Sequence, residues 1–236
     1  MYLYKKIFPK KNSLIIVIHA ESRMQAFLNT DIAKTSGADG VFLINHKCGY
    51  EELTFIYENL RFCFQHESNW WIGMNYLDLN PAQAIKKIPF DASGLWVDNA
   101  GIDENKEDPF EEAKINWQTK LDRKDWRGIY FGGVAFKYQK EVLDLDTIAS
   151  RARNYMDVIT TSGKATGLPP GLKKIEIMRR AIKDFPLAVA SGVNAGNIRK
   201  YLPLVDCFLV ATGVSRTFFE LDEEKVKEIV RIINSY

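Results

Sequence analysis

Short apolar segments recur along the chain, each followed by a cluster of Gly, Asn or Ser and then by a stretch with apolar residues three and four positions apart. Apolar runs bounded by turn residues are typical of buried strands, and the wider spacing is typical of amphipathic helices. Repeated alternation of the two predicts a parallel sheet covered by helices. The predicted strand segments are Leu14–His19, Gly40–Asn45, Trp70–Asn75, Leu95–Asp98, Ile129–Ala135, Asp157–Thr161, Leu187–Ala190 and Phe208–Ala211.

Eight strand–helix units with short connections favour a closed barrel over an open doubly wound sheet. The length of 236 residues is close to the roughly 250 residues of such barrels. We therefore predict an α/β protein with a single (β/α)₈ TIM-barrel domain over residues 1–236, which begins with an N-terminal approach segment, residues 1–12. The long connection 101–127 between the fourth and fifth strands carries an outer helix or, alternatively, folds over the mouth as a lid.

Charge and composition narrow the classes of partner. The 32 Lys and Arg residues nearly balance the 30 Asp and Glu residues, so no broad basic surface for a nucleic acid is expected. The basic run within residues 5–11 is interpreted as a solvated face. No apolar run approaches the roughly 18 residues of a membrane span, and no signal-peptide pattern is present, which favours a cytoplasmic protein without a membrane span. A homo-oligomer is compatible with the sequence.

The cysteines give no sign of a disulfide framework or a zinc site. There are three of them, they share no CxxC spacing, and Cys63 and Cys207 are expected to be inert core thiols. No metal and no cofactor is predicted.

The reactive groups are expected where the strands end, because βα loops converge at the C-terminal face of a barrel. Two histidines, a carboxylate and a lysine follow four of these strands and can transfer protons or balance charge. The predicted catalytic residues are His19, His46, Asp98 and Lys137, and Asn75 and Asn99 are expected to orient hydroxyl groups. A Schiff base on Lys137 or Lys164 is the alternative use of the lysines.

Two glycine turns after the seventh and eighth strands predict an anion site. Glycine lets the backbone approach a ligand, and free amides at the start of the expected helix 195–201 attract negative charge. Strand six ends in a third run of hydroxyls and glycines with one cation, although the spacing of a nucleotide P-loop is absent. The predicted phosphate-binding residues are Thr161, Ser162, Gly163, Lys164, Ser191, Gly192, Asn194, Asn197, Thr212 and Gly213.

These same segments resemble the BtpA/SgcQ family of ribulose-phosphate-binding-type barrels. The similarity is carried by Asp157–Gly163 with Ala165-Thr166-Gly167, by Ala190–Val193 with Asn197, and by Phe208–Gly213. Ala190 stands where the family has glycine, and Ala20-Glu21-Ser22 replaces the family's proline-rich continuation after the first strand. The resemblance implies a barrel with a phosphate site, and one member class is associated with photosystem I biogenesis.

Two functions are compatible with these observations. The first is an enzyme on a small phosphorylated metabolite, a sugar phosphate or a nucleotide or phosphoribosyl compound, of the lyase, isomerase or transferase type. The second is a non-enzymatic assembly or regulatory factor of the photosystem I biogenesis type. Titratable groups collected in one mouth favour the enzyme, because a scaffold has no need of them.

Overall fold

Parallel strands close into a barrel in chain order in the computed structural model, which describes residues 1–64 and 70–236. The first strand pairs with both the second and the last, so the sheet has no edge. The predicted TIM barrel is therefore confirmed. The strands are β1 (Ser13–Ala20), β2 (Gly40–Asn45), β3 (Trp71–Asn75), β4 (Gly94–Val97), β5 (Ile129–Gly133), β6 (Val158–Thr161), β7 (Leu187–Ala190) and β8 (Cys207–Val210).

Helices surround the barrel, and no described helix combines the length and apolar character that crossing a bilayer requires. The prediction of a helix over residues 195–201 is wrong. That segment forms only a 3₁₀ turn, Ile198–Lys200, because Asn194 and Asn197 bind backbone groups of the loop itself. The α-helices are α1 (Leu3–Ile7), α2 (Arg23–Thr35), α3 (Tyr50–Cys63), α4 (Pro81–Lys87), α5 (Glu111–Asp122), α6 (Leu145–Ala152), α7 (Leu172–Ile182) and α8 (Glu223–Asn234).

Alternation along the strands divides the core into two layers. Successive strand side chains point to opposite faces, so Leu14, Ile16 and Ile18 of β1 pack in the layer beneath the helices. Ile15 and Val17 point into the barrel, where they meet aromatic rings from other strands. The barrel interior is thus filled with side chains, as in other barrels of eight strands.

Helix α1 closes the N-terminal end of the barrel. Tyr4 is fully buried, its ring contacts that of Phe131, and its hydroxyl donates a hydrogen bond to the carbonyl of Asp206 at 2.8 Å. Lys5 forms an ion pair with the Asp206 carboxylate. The interpretation of this basic run as only a solvated face is therefore wrong for Lys5, because a helix of five residues is too short to show a clear period in the sequence.

The connection 101–127 contains α5 on the outside of the barrel. Arg123 donates to the carbonyl of Ile85 at 2.6 Å and so joins the end of α5 to α4. Earlier in the connection, the Glu104 carboxylate accepts a hydrogen bond from the amide of Leu143 at 2.7 Å. The connection therefore also supports the loop that follows β5.

The three thiols differ in exposure. Cys207 is buried at the start of β8, as expected, whereas Cys63 is exposed at the end of α3. The expectation of a core thiol at position 63 is wrong, because the apolar face of α3 is formed by Leu53, Ile56 and Leu60.

Candidate functional site

The strand alternation that fills the barrel also brings polar residues to its mouth. His19 follows Ile15 and Val17 on the inward face of β1, and Asn75 follows Trp71 on that of β3. Asp98 lies two residues beyond the inward Trp96 of β4. The inward-facing side chains at the C-terminal ends of these strands are therefore polar, and they converge above the apolar interior of the barrel.

Asp98 is the centre of a polar cluster. Its Oδ1 accepts a hydrogen bond from Asn75 Nδ2 at 3.1 Å, and its Oδ2 lies 3.7 Å from Lys137 Nζ. Burial raises the pKa of the Asp98 carboxyl above its ordinary value, while the charge of Lys137 and the hydrogen bond from Asn75 act in the opposite direction. A carboxylate with a raised pKa beside a cation is suited to take a proton from carbon or oxygen.

Lys137 is held in place by a strained loop. Ala135 and Tyr138, on either side of it, have φ angles of 47° and 62°, a conformation that non-glycine residues rarely adopt. The amide of Lys137 donates to Ser162 Oγ at 2.8 Å, and its Nζ lies 3.4 Å from Thr166 Oγ1. Such strain persists only where the surrounding structure enforces it.

The two histidines pack against each other and against Phe218 from the β8–α8 loop. The rings of His19 and His46 are 4.8 Å apart at their centroids, and Phe218 stacks on His19 at 4.0 Å. His19 Nδ1 donates to the carbonyl of Phe218 at 3.0 Å, since a carbonyl can only accept, and the neutral ring therefore carries its acceptor on Nε2.

The surroundings of both histidines favour the neutral imidazole. Burial lowers the pKa of His19 to about 4, although its hydrogen bond to Phe218 opposes this change. Burial also lowers the pKa of His46, and the charge of Lys137 adds to that effect. Neutral imidazoles can accept a proton during a reaction.

The low pKa of His19 predicts that stability falls in mild acid. Unfolded histidine has a pKa of about 6.5 and takes up a proton that the folded side chain does not. The stabilisation that His19 provides is fully present above this unfolded pKa. It is lost as the pH falls from there toward the folded pKa of about 4. Between pH 7 and pH 5 we expect His19 to remove about 2 kcal/mol from the free energy of unfolding.

Urea denaturation at the two pH values measures this effect. The His19→Asn variant cannot take up the proton, so it should lose about 2 kcal/mol less than the wild type between pH 7 and pH 5. Equal losses in the two proteins would contradict a neutral, buried His19.

The loops after β7 and β8 form one compact unit. Ser191 and Gly192 both have left-handed backbone, with φ of 68° and 66°. A side chain at Gly213 would place its Cβ 2.0 Å from the carbonyl oxygen of Val193, so only glycine allows the two loops to touch. Among the described residues, no protein acceptor receives the amides of Gly192 and Val193. Successive free amides in a turn of this kind attract anions.

The asparagines of this region shape the loop. Asn197 accepts a hydrogen bond from the Asn194 amide at 3.0 Å and donates to the carbonyl of Gly192 at 2.7 Å. Asn194 in turn accepts from the amide of Gly196 at 2.9 Å. Their side-chain groups are thereby engaged within the loop, while Thr212 at the next loop is exposed.

The predicted residues of strand six are divided between two places. Thr161 is buried and its hydroxyl donates to the carbonyl of Ala135 at 3.3 Å. Ser162, Gly163 and Lys164 line a separate cavity between the β5–α6 and β6–α7 connections. Asn99 is exposed and accepts from the amide of Gly101, so it does not join the cluster around Asp98.

Sequence reasoning missed two residues. Phe218 lies 199 positions from His19 and carries no local signal. Lys174, on the first turn of α7, donates to the carbonyl of Ser162 at 2.7 Å and to that of Ala135. Lysines on amphipathic helices usually face solvent, so the periodicity of α7 gave no reason to single this one out. In the described part of the chain, no three His, Cys, Asp or Glu side chains are arranged to hold a metal ion.

The resemblance to the BtpA family is confirmed over the C-terminal half. The model of the BtpA family matches residues 121–235. A protein of Archaeoglobus fulgidus is 31% identical over 108 residues, 45% of this chain and 43% of that protein. A protein of Methanocaldococcus jannaschii is 28% identical over 60% of this chain and 53% of its own length. The matches thus span about half the length of these relatives.

A further relative matches over a shorter segment of the chain. The photosystem I biogenesis protein BtpA of Synechocystis is 34% identical over 64 residues, which are 27% of this chain and 22% of that protein. This similarity covers too little of either chain to transfer a role.

Solved structures of other proteins share the fold over nearly the whole chain. The (S)-3-O-geranylgeranylglyceryl phosphate synthase of Thermoplasma acidophilum, in complex with sn-glycerol-1-phosphate, has a TM-score of 0.69 at 11% identity and full coverage of both chains. The native KDPGal structure has a TM-score of 0.69 at 12% identity, with 96% of each chain covered. Phosphoribosyl anthranilate isomerase of Thermus thermophilus has a TM-score of 0.64 at 13% identity, with 94% of this chain and 98% of that one covered. At these identities the likeness shows the fold alone.

Proposed function

We propose, from the similarity of residues 121–235 to the BtpA family, that the protein is an enzyme acting on a small phosphorylated metabolite. The observation that carries the proposal is the cluster of Asp98, Asn75 and Lys137 at the mouth of the barrel, beside two neutral histidines. A half-buried carboxyl with a raised pKa, paired to a lysine in a mouth, is the arrangement expected of an acid–base site.

The phosphate group of the substrate would lie on the loops after β7 and β8. The free amides of Gly192 and Val193 would donate to its oxygens, and the exposed Thr212 hydroxyl and the Gly213 backbone border the same place. The expected helix dipole does not contribute, because the turn Ile198–Lys200 is too short. Barrel enzymes commonly hold phosphate at these two loops, and the structural neighbours include enzymes named for phosphorylated compounds.

The reaction would consist of proton transfers at the sugar or nucleotide part of the substrate. Asp98 would take a proton, and the Lys137 ammonium would stabilise negative charge that develops on a neighbouring oxygen. Protonated Asp98 would then return the proton to another atom of the substrate, either directly or through neutral His46 or His19, which would accept it from Asp98 and pass it on. Asn75 would hold the Asp98 carboxylate in position. Such steps are compatible with a lyase, isomerase or transferase acting on a sugar phosphate, a nucleotide or a phosphoribosyl compound.

Thermal unfolding in the presence of candidate ligands tests this proposal. The purified protein would be melted with a panel of sugar phosphates, phosphoribosyl compounds, nucleotides and inorganic phosphate. A ligand at a hundred times its Kd adds about 2.7 kcal/mol to the free energy of unfolding, which raises Tm by about 5–10 °C for a domain of this size. A panel without any shift would contradict the phosphate site.

An assembly or regulatory factor is the second candidate function, favoured by the similarity to the photosystem I biogenesis protein of Synechocystis. This function would use the barrel as a docking body and would not require a ligand in the mouth. In cells whose phenotype depends on the protein, the Gly213→Asp variant would then still support that phenotype. If the protein is an enzyme of phosphorylated metabolites, the same variant would fail to support it.

A further inference from the structure

A second cavity lies between the connection that follows β5, which also carries Lys137, and the connection that follows β6. It has a volume of about 800 Å³ and is bordered by residues within 135–145 and 162–177; we call it the lysine groove. Small-molecule sites have volumes of about 300–1,000 Å³. The lysine groove therefore has the size of a ligand site, and Asp98 and Lys137 are not among the residues that line it.

The groove carries an excess of positive charge. Four of its lining residues are lysines, Lys140, Lys164, Lys173 and Lys174, against the single carboxylate of Glu141. Lys174 is the most informative of them, because its ammonium group reaches the ends of β5 and β6 and donates to backbone carbonyls there. Among the described residues, no carboxylate lies within 4.0 Å of its Nζ.

A largely buried ammonium without a counter-charge is costly. Burial lowers the pKa of Lys174 to about 8, so the group is still mostly charged at pH 7. An anion placed against its Nζ would supply the missing counter-charge and would accept a charge-assisted hydrogen bond.

The walls of the groove expose apolar side chains. Leu143 is 88% exposed and Leu168 is 54% exposed, and Val142, Leu145 and Ile177 also line the cavity. Exposed leucines facing one concave space indicate an apolar occupant. Glu104 holds one of these walls by accepting hydrogen bonds from the amides of Leu143 and Asp144.

The groove and the phosphate loop are separated by one stretch of backbone. Leu168 and Pro169 line the groove, and a Cβ on Gly192 would lie 2.2 Å from the nitrogen of Pro169. The two sites are therefore neighbours that share this stretch of backbone. A variant on the groove side can test one site without changing a residue of the other.

We propose that the lysine groove binds an anionic amphiphile, a small molecule with an aliphatic or aromatic body and one phosphate or carboxylate group. The acidic group would pair with Lys174, and the body would lie against Leu143, Leu168 and Ile177. This site is additional to the proposed phosphate site of the mouth, and its presence does not depend on the reaction at Asp98.

Calorimetric titration of the full chain with octyl phosphate, octanol and inorganic phosphate tests the proposal. Octyl phosphate should bind more tightly than either of the other two compounds, because each of them lacks one half of the ligand. Lys174→Met should weaken octyl phosphate binding by about tenfold or more, because it removes a charged hydrogen-bond donor. Lys86→Met is the matched control, because Lys86 is exposed on α4, and it should leave the affinity unchanged.

Leu143→Asp provides a second variant, since this side chain is 88% exposed and its replacement does not disturb the core. It should also weaken binding of octyl phosphate, while Tm shifts caused by sugar phosphates at the mouth stay as in the wild type. Binding that survives both variants would overturn the proposal, and so would equal affinity for octyl phosphate and inorganic phosphate.

Vesicles separate a soluble ligand from a lipid surface. Cosedimentation with phosphatidylglycerol vesicles, without binding of soluble octyl phosphate, would show that the leucines contact a membrane and would overturn the proposal. If the groove titration fails while the sugar-phosphate shifts remain, only the groove inference is lost. If the sugar-phosphate shifts fail while octyl phosphate binds, only the proposed function of the mouth is lost.

Discussion

Replacing Asp98 with Asn is expected to slow proton transfer on a bound substrate by about 10²–10⁴-fold. The amide has the shape of the carboxylate and can still accept the hydrogen bond from Asn75, but it cannot take up a proton at neutral pH. The substitution also removes the ion pair between Asp98 and Lys137. The barrel itself should remain folded, because Asp98 lies at the mouth, with 28% of its side chain exposed.

Exchange of carbon-bound hydrogens of the ligand for deuterium in D₂O measures this proton transfer. It does not require that the product be identified. Each compound that raises Tm would be incubated with the protein, and proton NMR would follow the loss of signals from its carbon-bound hydrogens. Glu21→Gln is the control, because Glu21 is an exposed carboxylate near the end of β1 that pairs with Lys47 and lies outside the Asp98 cluster. It should change the rate by less than about twofold, since its ion pair is exposed. Equal rates for Asp98→Asn and the wild type would contradict a catalytic Asp98.

Replacing Gly213 with Asp is expected to abolish the Tm shift caused by phosphorylated ligands and to destabilise the free protein by about 1–3 kcal/mol. A Cβ at this position would lie 2.0 Å from the carbonyl oxygen of Val193, so the two phosphate loops must separate. The added carboxylate would also repel a phosphate at the same place.

Two further variants interpret the result of this substitution. Gly171→Asp adds the same charge at a position where a Cβ meets no atom within 4 Å, and it should leave the ligand-induced shift intact. Thr212→Glu brings a negative charge to the exposed edge of the loop without the steric conflict. It therefore tests the same phosphate site if the Gly213→Asp variant does not fold. A full ligand-induced shift in both Gly213→Asp and Thr212→Glu would place the phosphate elsewhere.

Much of the candidate site could be predicted from residue order, because strand periodicity is a local property. Once the eight strands were identified, the alternation of side chains put His19, Asn75 and Asp98 on the inward face. The glycines of the last two loops were also visible as turn residues. The pattern left open which of these groups touch, since no rule of sequence spacing relates Asp98 to Lys137 or to Asn75.

The errors have a common physical origin. The segment 195–201 has the residues of a helix start, yet Asn194 and Asn197 satisfy the loop's backbone and end the helix after one turn. The short helix α1 gave no periodic signal, although Tyr4 and Phe8 are buried at the base of the barrel. In both places tertiary packing and side-chain hydrogen bonds outweighed local propensity.

Short-range patterns of apolar and turn residues were sufficient to predict the barrel and the position of His19, Asn75 and Asp98 at the ends of its strands, but not that Asn99 lies apart from them. Other features could be seen only in the folded chain: Phe218 stacks on His19, Gly213 touches Val193, and Lys174 reaches the ends of β5 and β6. Those contacts join positions distant in the chain, and their geometry depends on how the closed sheet brings separate loops together.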